Sequence, residues 1–284
     1  FGRIFYFLQF LFGHLRTIRK FNPDLCISIG SPYLVVVARL LGVPGIVFED
    51  TETATRVNLI YRLFATRVIT PDCFNGNFGK KHIRINGFKE SAYLHRNHFQ
   101  PDAGIYRELG LDPGEKYIVV RFVSHRVNHD KPFDGLTDEM KKTLVEGLLK
   151  QGRVFISSEK GIPLLYPELE VPVPPHRMHH VIAYASMVAG ESATMAAEAA
   201  LLGVPSVFFD NHGRGYTDEL EQQYKLVSNF TVTADNVNKG IDKAKEILNT
   251  PDYVKNRTAY HRLLEEKIDV TEFLVRFAEE FHAK

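Results

Sequence analysis

The sequence predicts an α/β protein of two domains, each built on a doubly wound parallel sheet. Short apolar runs alternate along the chain with helical patterns, and tight turns that contain glycine or proline separate them. This alternation is typical of parallel strands joined by crossover helices. A chain of 284 residues is also long enough for two domains that each bury a core.

The first domain is predicted to contain a helix at its start and then alternating strands and helices. Apolar runs and helical periods give the following elements: a helix at 1–20, strands at 24–29, 43–48 and 67–70, and helices at 33–41 and 53–65. A turn-rich loop follows at 71–78. Residues 96–116 are polar and contain two prolines, so they are predicted to link the domains.

The second domain is predicted to repeat the same alternation, and two helices follow it. The elements are strands at 117–122, 153–158, 187–189, 204–209 and 225–232, and helices at 137–151, 194–202, 217–224 and 236–249, with a further helix that ends at 185. The resulting boundaries are 1–95 for the first domain, 96–116 for the linker, 117–250 for the second domain and 251–284 for the closing helices.

The stretch from Met187 to Asp210 carries the strongest functional signal. It is a strand, a turn of Gly190, Glu191 and Ser192, a helix of small residues and a second strand. The start of a helix that follows a strand binds anions, because unpaired amides and the positive end of the helix dipole converge there. Thr194 adds a hydroxyl donor. Glu198 lies one turn deeper, where it either accepts the hydroxyls of a bound ribose or points into solvent.

This motif resembles a known nucleotide-sugar signature. The glycine-bearing loop, the hydroxyl residue, Glu198 and the run Ala-Leu-Leu-Gly-Val-Pro at 200–205 are similar to the C-terminal domain of GT-B glycosyltransferases and of the non-hydrolysing UDP-N-acetylglucosamine 2-epimerases. The resemblance covers essentially the whole chain and is closest to a prokaryotic family of unknown function related to both. One departure is Glu191-Ser192-Ala193, where a second glycine is usual.

The resemblance implies a GT-B-like architecture, in which two Rossmann-like domains face a cleft. It implies that Gly190, Ser192 and Thr194 hold a pyrophosphate and that Glu198 holds the ribose. Helices 251–284 would then pack back on the first domain. A GT-B N-terminal domain starts with a strand and a glycine-bearing loop, so we expect the first domain to lack its first βαβ elements.

Three carboxylates follow the strand that ends at Phe48, and they are candidates for catalysis. Glu49, Asp50 and Glu52 lie within four residues at the carboxyl end of a predicted parallel strand, where such sheets bind ligands. Clustered carboxylates raise one another's pKa, which suits a general acid or base. The alternative is a solvated acidic turn in which Asp50 or Thr51 caps the next helix. The epimerases carry a catalytic carboxylate loop in the corresponding place, but which of the three acts stays open.

Three further residues are candidates at strand ends in the second domain. His125 and Arg126 follow the strand at 117–122 and resemble a His-Arg element of the epimerases, which implies proton transfer for the His and phosphate binding for the Arg. Arg214 lies between two glycines after the strand at 204–209, where relatives hold the donor sugar. No metal site is predicted, because His125 and His129 lack further ligands at suitable spacing.

Composition restricts the partners and the compartment. The formal charge is +1, from 35 basic and 34 acidic residues, so there is no electrostatic signature of nucleic-acid binding. The two cysteines are predicted to be reduced core residues of a cytoplasmic protein. The Phe-rich segment from Phe1 to Lys20 is either buried against a sheet or makes peripheral contact with the cytoplasmic face of a membrane.

The sequence therefore predicts an enzyme that uses a UDP-sugar and needs no cofactor or metal. A glycosyltransferase, with a role in cell-surface polysaccharide biosynthesis, is the first expectation. The alternative is an enzyme like the UDP-N-acetylglucosamine 2-epimerases. A third hypothesis, from a different class, is a sugar-nucleotide-binding protein without catalysis.

Overall fold

The computed structural model describes residues 2–123, 135–158, 166–250, 253 and 258–282. The chain divides into two compact units. The first unit comprises Phe1–Ala92, Arg214–Tyr216 and Lys267–Lys284, and the second comprises Tyr93–Gly213 and Thr217–Glu266.

Strands and helices alternate through both units. The strands are β1 Cys26–Ile29, β2 Gly45–Phe48, β3 Arg67–Pro71, β4 His82–Ile85, β5 Tyr117–Phe122, β6 Arg153–Ser158, β7 Met187–Gly190, β8 Ser206–Phe209 and β9 Val227–Phe230. The α-helices are α1 Gly2–Phe21, α2 Pro32–Leu40, α3 Thr55–Phe64, α4 Ser91–Leu94, α5 Ile105–Glu108, α6 Asp138–Leu149, α7 Met178–Tyr184, α8 Ala193–Leu201, α9 Gly215–Gln222, α10 Ala234–Asn249, α11 Thr258–Glu266 and α12 Val270–His282.

The first unit contains a parallel sheet with the strand order β1-β2-β3-β4. Every residue of β2 is buried, and its two faces belong to different cores. Val47 packs with α3 residues such as Tyr61, whereas Ile46 and Phe48 pack with Val270 of α12. Helices therefore cover both faces, which explains why β2 is continuously apolar in sequence.

The second unit contains a parallel sheet with the strand order β6-β5-β7-β8-β9. The central strand β5 divides its side chains between two cores in alternation. Ile118, Val120 and Phe122 enter one core, and Tyr117 and Val119 enter the other. The predicted doubly wound α/β class is confirmed, since both sheets are parallel and carry buried clusters on both faces.

Two segments differ from the sequence prediction. β4 was not predicted, because it is a four-residue edge strand in which His82 and Arg84 interrupt the apolar pattern. Residues 96–116, predicted as a linker, include α5 and contribute the buried side chains of Ile105, Leu109 and Leu111 to a core of the second unit.

In the part of helix α1 whose side chains are described, residues 9–21, one side packs against the rest of the first unit. Ile18 is buried, and Leu11 and Leu15 pack against a cluster that includes α2. Phe12 and Phe21 remain 67% and 80% exposed. None of the helices in the described part of the chain combines the length and hydropathy needed to cross a membrane. Peripheral membrane contact through Phe1 to Lys20 stays a prediction.

Candidate functional site

Gly190 ends β7 and sets the turn that leads into α8. Its φ is +135°, and a Cβ built at this position would lie 2.0 Å from the carbonyl oxygen of Arg121. The same carbonyl accepts a hydrogen bond of 2.9 Å from the amide of Glu191. A side chain at position 190 would collide with the neighbouring strand, so only glycine fits here.

Ser192 caps the N-terminus of α8. Its backbone is extended, and its Oγ accepts a hydrogen bond of 3.2 Å from the amide of Met195. This cap satisfies one amide of the first turn, but the amides of Ala193 and Thr194 cannot find partners within the helix. Gly190, Ser192 and Thr194, which the sequence predicts to hold a pyrophosphate, thus surround one helix start with anion-binding character.

Glu191 lies in the turn between β7 and α8, in the segment where the sequence departs from the pattern expected from the resemblance. Its side chain is only 5% exposed and turns into the second unit. Oε1 accepts a 2.6 Å hydrogen bond from the amide of Leu136, and Oε2 lies 3.6 Å from Nζ of Lys141. The carboxylate therefore fixes the chain before α6 and is directed away from an anion-binding role.

Glu198 lies one turn into α8 and is 7% exposed, so it does not point into solvent. Its Oε1 accepts hydrogen bonds from the hydroxyl of Tyr93 at 2.9 Å and from Nε2 of His179 at 3.1 Å. The rings of Tyr93 and His179 also contact each other, with centroids 5.2 Å apart. Sequence reasoning did not single out either residue as a partner of Glu198.

Two cationic residues are predicted in the segment that follows β5. His125 and Arg126 lie outside the described residues. Arg121, which sequence reasoning missed, occupies the carboxyl end of β5 opposite Gly190, and its Nη1 donates a 2.7 Å hydrogen bond to Oγ of Ser157. Its signal in the sequence was a charged residue inside an otherwise apolar strand.

The carboxylate loop, Glu49 to Glu52, follows β2 in the first unit. Glu49 and Asp50 are 5% and 7% exposed, so the loop is not a solvated acidic turn. One oxygen of Glu49 accepts hydrogen bonds from the amides of Asp50 at 3.0 Å and Thr51 at 2.8 Å. Burial raises the pKa of Glu49, the amide of Thr51 opposes that shift, and the charge of Asp50 adds to it.

Asp50 forms a close ion pair with Lys89. Its Oδ2 lies 2.6 Å from Nζ of Lys89, which is also 3.4 Å from Oε1 of the buried Glu90. Burial would lower the pKa of Lys89, but the charges of Glu90 and Asp50 outweigh it and the pKa is raised. The sequence shows Lys89 beside Glu90 in a loop, but it gives no sign that the ammonium reaches Asp50.

Glu52 anchors two other segments of the first unit. Its Oε1 accepts hydrogen bonds from the amide of Asn75 at 3.2 Å and from the amide of Gly215 at 3.1 Å. A Cβ at Gly215 would lie 2.2 Å from the carbonyl oxygen of Cys73, so this contact also requires glycine. Glu52 is thus committed to backbone amides, whereas Glu49 and Asp50 form the buried acidic group.

Arg214 and Tyr216 belong to the first unit together with Gly215. Tyr216 is 3% exposed, and Nζ of Lys89 lies 5.9 Å from the centre of its ring. Burial and the charges of Glu90 and Asp50 raise the pKa of Tyr216, while the charge of Arg214 lowers it. Arg214 is therefore close enough to Tyr216 for its charge to act on that hydroxyl.

The described residues contain no group of three or more His, Cys, Asp or Glu side chains placed to hold a metal ion. Cys26 and Cys73 are not joined by a disulfide; Cys26 is buried and Cys73 is partly buried. Burial raises the pKa of Cys26, which disfavours the reactive thiolate.

The chain belongs to the family described as protein of unknown function, DUF354, whose family model matches residues 4–281. The predicted relationship to a family of unknown function is thereby confirmed. No curated protein matches the sequence significantly.

Solved structures with a similar fold include both epimerases and a glycosyltransferase. The UDP-GlcNAc 2-epimerase of Methanocaldococcus jannaschii is 13% identical with a TM-score of 0.63, and the match covers 96% of this chain and 82% of that chain. The S. aureus MnaA–UDP co-structure is 13% identical with a TM-score of 0.67, and the match covers 97% of this chain and 79% of that chain. The spinosyn forosaminyltransferase SpnP is 14% identical with a TM-score of 0.65, and the match covers 96% of this chain and 80% of that chain. At these identities the likeness shows the fold, and the predicted GT-B-like fold is confirmed.

Replacing Gly190 with alanine is expected to destabilise the second unit and to displace the start of α8. The unusual φ costs about 1–3 kcal/mol, and overlap with a backbone oxygen adds to this penalty, because that atom cannot rotate away. Gly152→Ala is a matched control, since a Cβ there meets nothing within 4 Å. Urea denaturation followed by circular dichroism measures both variants; similar midpoints for the two would contradict the close approach at Gly190.

Replacing Lys89 with methionine is expected to lower the free energy of unfolding by about 3 kcal/mol. This is the lower end of the range for breaking a buried pair, because the Lys89 side chain keeps 21% exposure. The physical reason is that the buried carboxylate of Asp50 loses the ammonium group that lies 2.6 Å from it.

A double-mutant cycle with Asp50→Asn isolates the contribution of the pair. The double variant should lose less stability than the sum of the two single variants, as measured by urea denaturation. Strict additivity would show that Lys89 and Asp50 are not coupled.

Proposed function

We propose that this protein is a UDP-sugar-dependent enzyme with a GT-B fold, and in the first place a metal-independent glycosyltransferase. The observation that carries the proposal is the start of α8. There, Gly190 opens the turn, Ser192 caps the helix, and Glu198 presents a buried carboxylate one turn deeper.

The start of α8 supports binding of a nucleoside diphosphate. Unpaired amides and the helix dipole stabilise the diphosphate charge without a metal ion. A carboxylate one turn into the helix is suited to accept the hydroxyls of the attached ribose. His125 and Arg126 are proposed to neutralise the leaving diphosphate, and the guanidinium of Arg121 at the end of β5 is a further candidate for this role.

The carboxylate loop supports a proton-transfer role for Glu49. A general base works best when its pKa lies near the working pH, and burial shifts the pKa of Glu49 in that direction. Asp50 is held by Lys89, and Glu52 is held by two backbone amides. Among the three candidates, Glu49 is therefore assigned as the base, Asp50 as its charged neighbour and Glu52 as a structural anchor.

In the glycosyltransferase reaction, the base takes the proton of an acceptor hydroxyl. The acceptor oxygen forms a bond to C1 of the sugar, and the bond between C1 and the diphosphate oxygen breaks. UDP leaves with the electron pair, and the configuration at C1 inverts. Arg214 is proposed to contact the sugar.

The second candidate function is that of a UDP-N-acetylglucosamine 2-epimerase. It is favoured by the similar structures that bear this name, including that of Methanocaldococcus jannaschii. In this reaction the base would remove the proton from C2 as UDP leaves C1, and UDP would add back after the proton returns to the other face. A cytoplasmic location and a role in polysaccharide biosynthesis are further proposals.

Titration calorimetry with UDP tests the nucleotide site. The wild-type protein should bind UDP, and Glu198→Gln should weaken binding by about tenfold or more, which corresponds to about 1.4 kcal/mol. Glu139→Gln, an exposed glutamate in the first turn of α6, is the matched control and should bind normally. No binding of UDP by the folded wild-type protein would contradict the proposed function.

The pH dependence of turnover tests the role of Glu49. A base acts when ionised, so kcat/KM with UDP-N-acetylglucosamine should rise with pH through the raised pKa of Glu49. The acidic limb should therefore lie above the usual range of glutamate, about 4.3. The assay measures UDP release and, in heavy water, deuterium incorporation at C2, which reports the epimerase reaction.

Glu49→Gln should lower the rate by about 10²–10⁴-fold and remove the acidic limb. Asp50→Asn and Glu52→Gln are compared in the same assay. If either of them removes the limb while Glu49→Gln keeps it, the assignment of the base is wrong. UDP binding with no turnover in any assay would favour the non-catalytic binding protein.

A further inference from the structure

Glu198 is held by two donors that lie far from it in the sequence. Tyr93 precedes it by 105 residues, and His179 precedes it by 19 residues. Both donors bond to the same oxygen, Oε1, at 2.9 and 3.1 Å. A carboxylate only accepts hydrogen bonds, so Nε2 of His179 must carry the proton in this contact.

The second oxygen of Glu198 is in a different situation. Oε2 has no hydrogen-bond partner among the residues that the structure describes. A carboxylate with so little exposure is stabilised when its remaining lone pairs are also satisfied. With Oε1 already holding two donors, Oε2 is the oxygen that an incoming hydroxyl group would meet.

The surroundings of His179 fix its orientation. Its ring contacts Tyr93 at a centroid distance of 5.2 Å and meets the edge of Phe99 at 6.0 Å. These two rings restrict rotation of the imidazole, so Nε2 stays directed at Glu198. Tyr93 and His179 therefore determine the orientation of the carboxylate before any ligand binds.

We propose that Tyr93 and His179 are positioning residues that direct Oε2 of Glu198 to the ribose hydroxyls of the nucleotide. This inference rests on the proposed function and deepens it. The ligand it selects is a ribonucleoside diphosphate, because the carboxylate accepts hydroxyl groups that a deoxyribose lacks. Through Glu198, the two residues favour a ribose over a deoxyribose without contacting the ligand themselves.

The experiment compares UDP with 2′-deoxy-UDP and 3′-deoxy-UDP by calorimetry. The wild-type protein should prefer UDP over at least one deoxy analogue by about tenfold. Tyr93→Phe removes only the hydroxyl, and His179→Leu removes the imidazole donor together with its ring contacts; each should reduce that preference by at least about threefold. Loss of folded protein scales the binding of all three ligands equally, so the ratio of affinities reports positioning rather than stability.

Two neighbours serve as matched controls. His180→Leu removes a ring whose Nδ1 accepts from the amide of Asp102, and Tyr184→Phe removes a hydroxyl that donates to the carbonyl oxygen of Pro101. Both controls should keep the wild-type preference.

The possible outcomes separate the two proposals. If the wild-type protein binds none of the three ligands, the proposed function fails, and this inference fails with it. If the wild-type protein binds UDP and Glu198→Gln abolishes the preference, but Tyr93→Phe and His179→Leu keep it, the nucleotide site stands and the positioning role is wrong.

Discussion

The close approach of Gly190 to the carbonyl oxygen of Arg121 determines the path of the chain from β7 into α8. Because no side chain separates the two backbones, β7 turns directly into α8 beside β5. Ser192 then caps the helix, and the next amides are left for an external acceptor. The same turn fixes where α8 begins, and Glu198 lies about one turn into that helix. The geometry that supports nucleotide binding therefore depends on one glycine and on the register of two strands.

The buried carboxylates of the two units have different hydrogen-bond and charge partners, and their proposed roles differ accordingly. In the second unit, one oxygen of Glu198 accepts hydrogen bonds from two donors, Tyr93 and His179, and the other oxygen is suited to accept hydroxyl groups. In the first unit, Asp50 is neutralised by Lys89, while Glu49 relies on backbone amides beside that pair and its pKa is raised. A carboxylate with a raised pKa exchanges protons near neutrality more readily than one that is ion-paired with a cation. The binding role proposed for Glu198 and the proton-transfer role proposed for Glu49 thus rest on two distinct electrostatic settings.

Much of the fold could be predicted from the sequence, since β5 and β6 occur at their predicted bounds, 117–122 and 153–158. Their continuous apolar runs reflect burial on both faces of a parallel sheet. The edge strand at 82–85 was missed because a strand with one neighbour tolerates polar side chains. The pairing of Lys89 with Asp50 could not be predicted either, because no sequence period connects residues on separate strand-end loops. For the same reason, the sequence located Glu198 but not the donors that hold it.

The central claim is that the start of α8 holds the diphosphate of a uridine nucleotide. A crystal structure of the protein with UDP tests it most directly. In that structure we expect diphosphate oxygens within hydrogen-bonding distance of the amides of Ala193 and Thr194, and the ribose hydroxyls within hydrogen-bonding distance of Oε2 of Glu198. UDP bound elsewhere, with these amides and Glu198 not engaged, would contradict it.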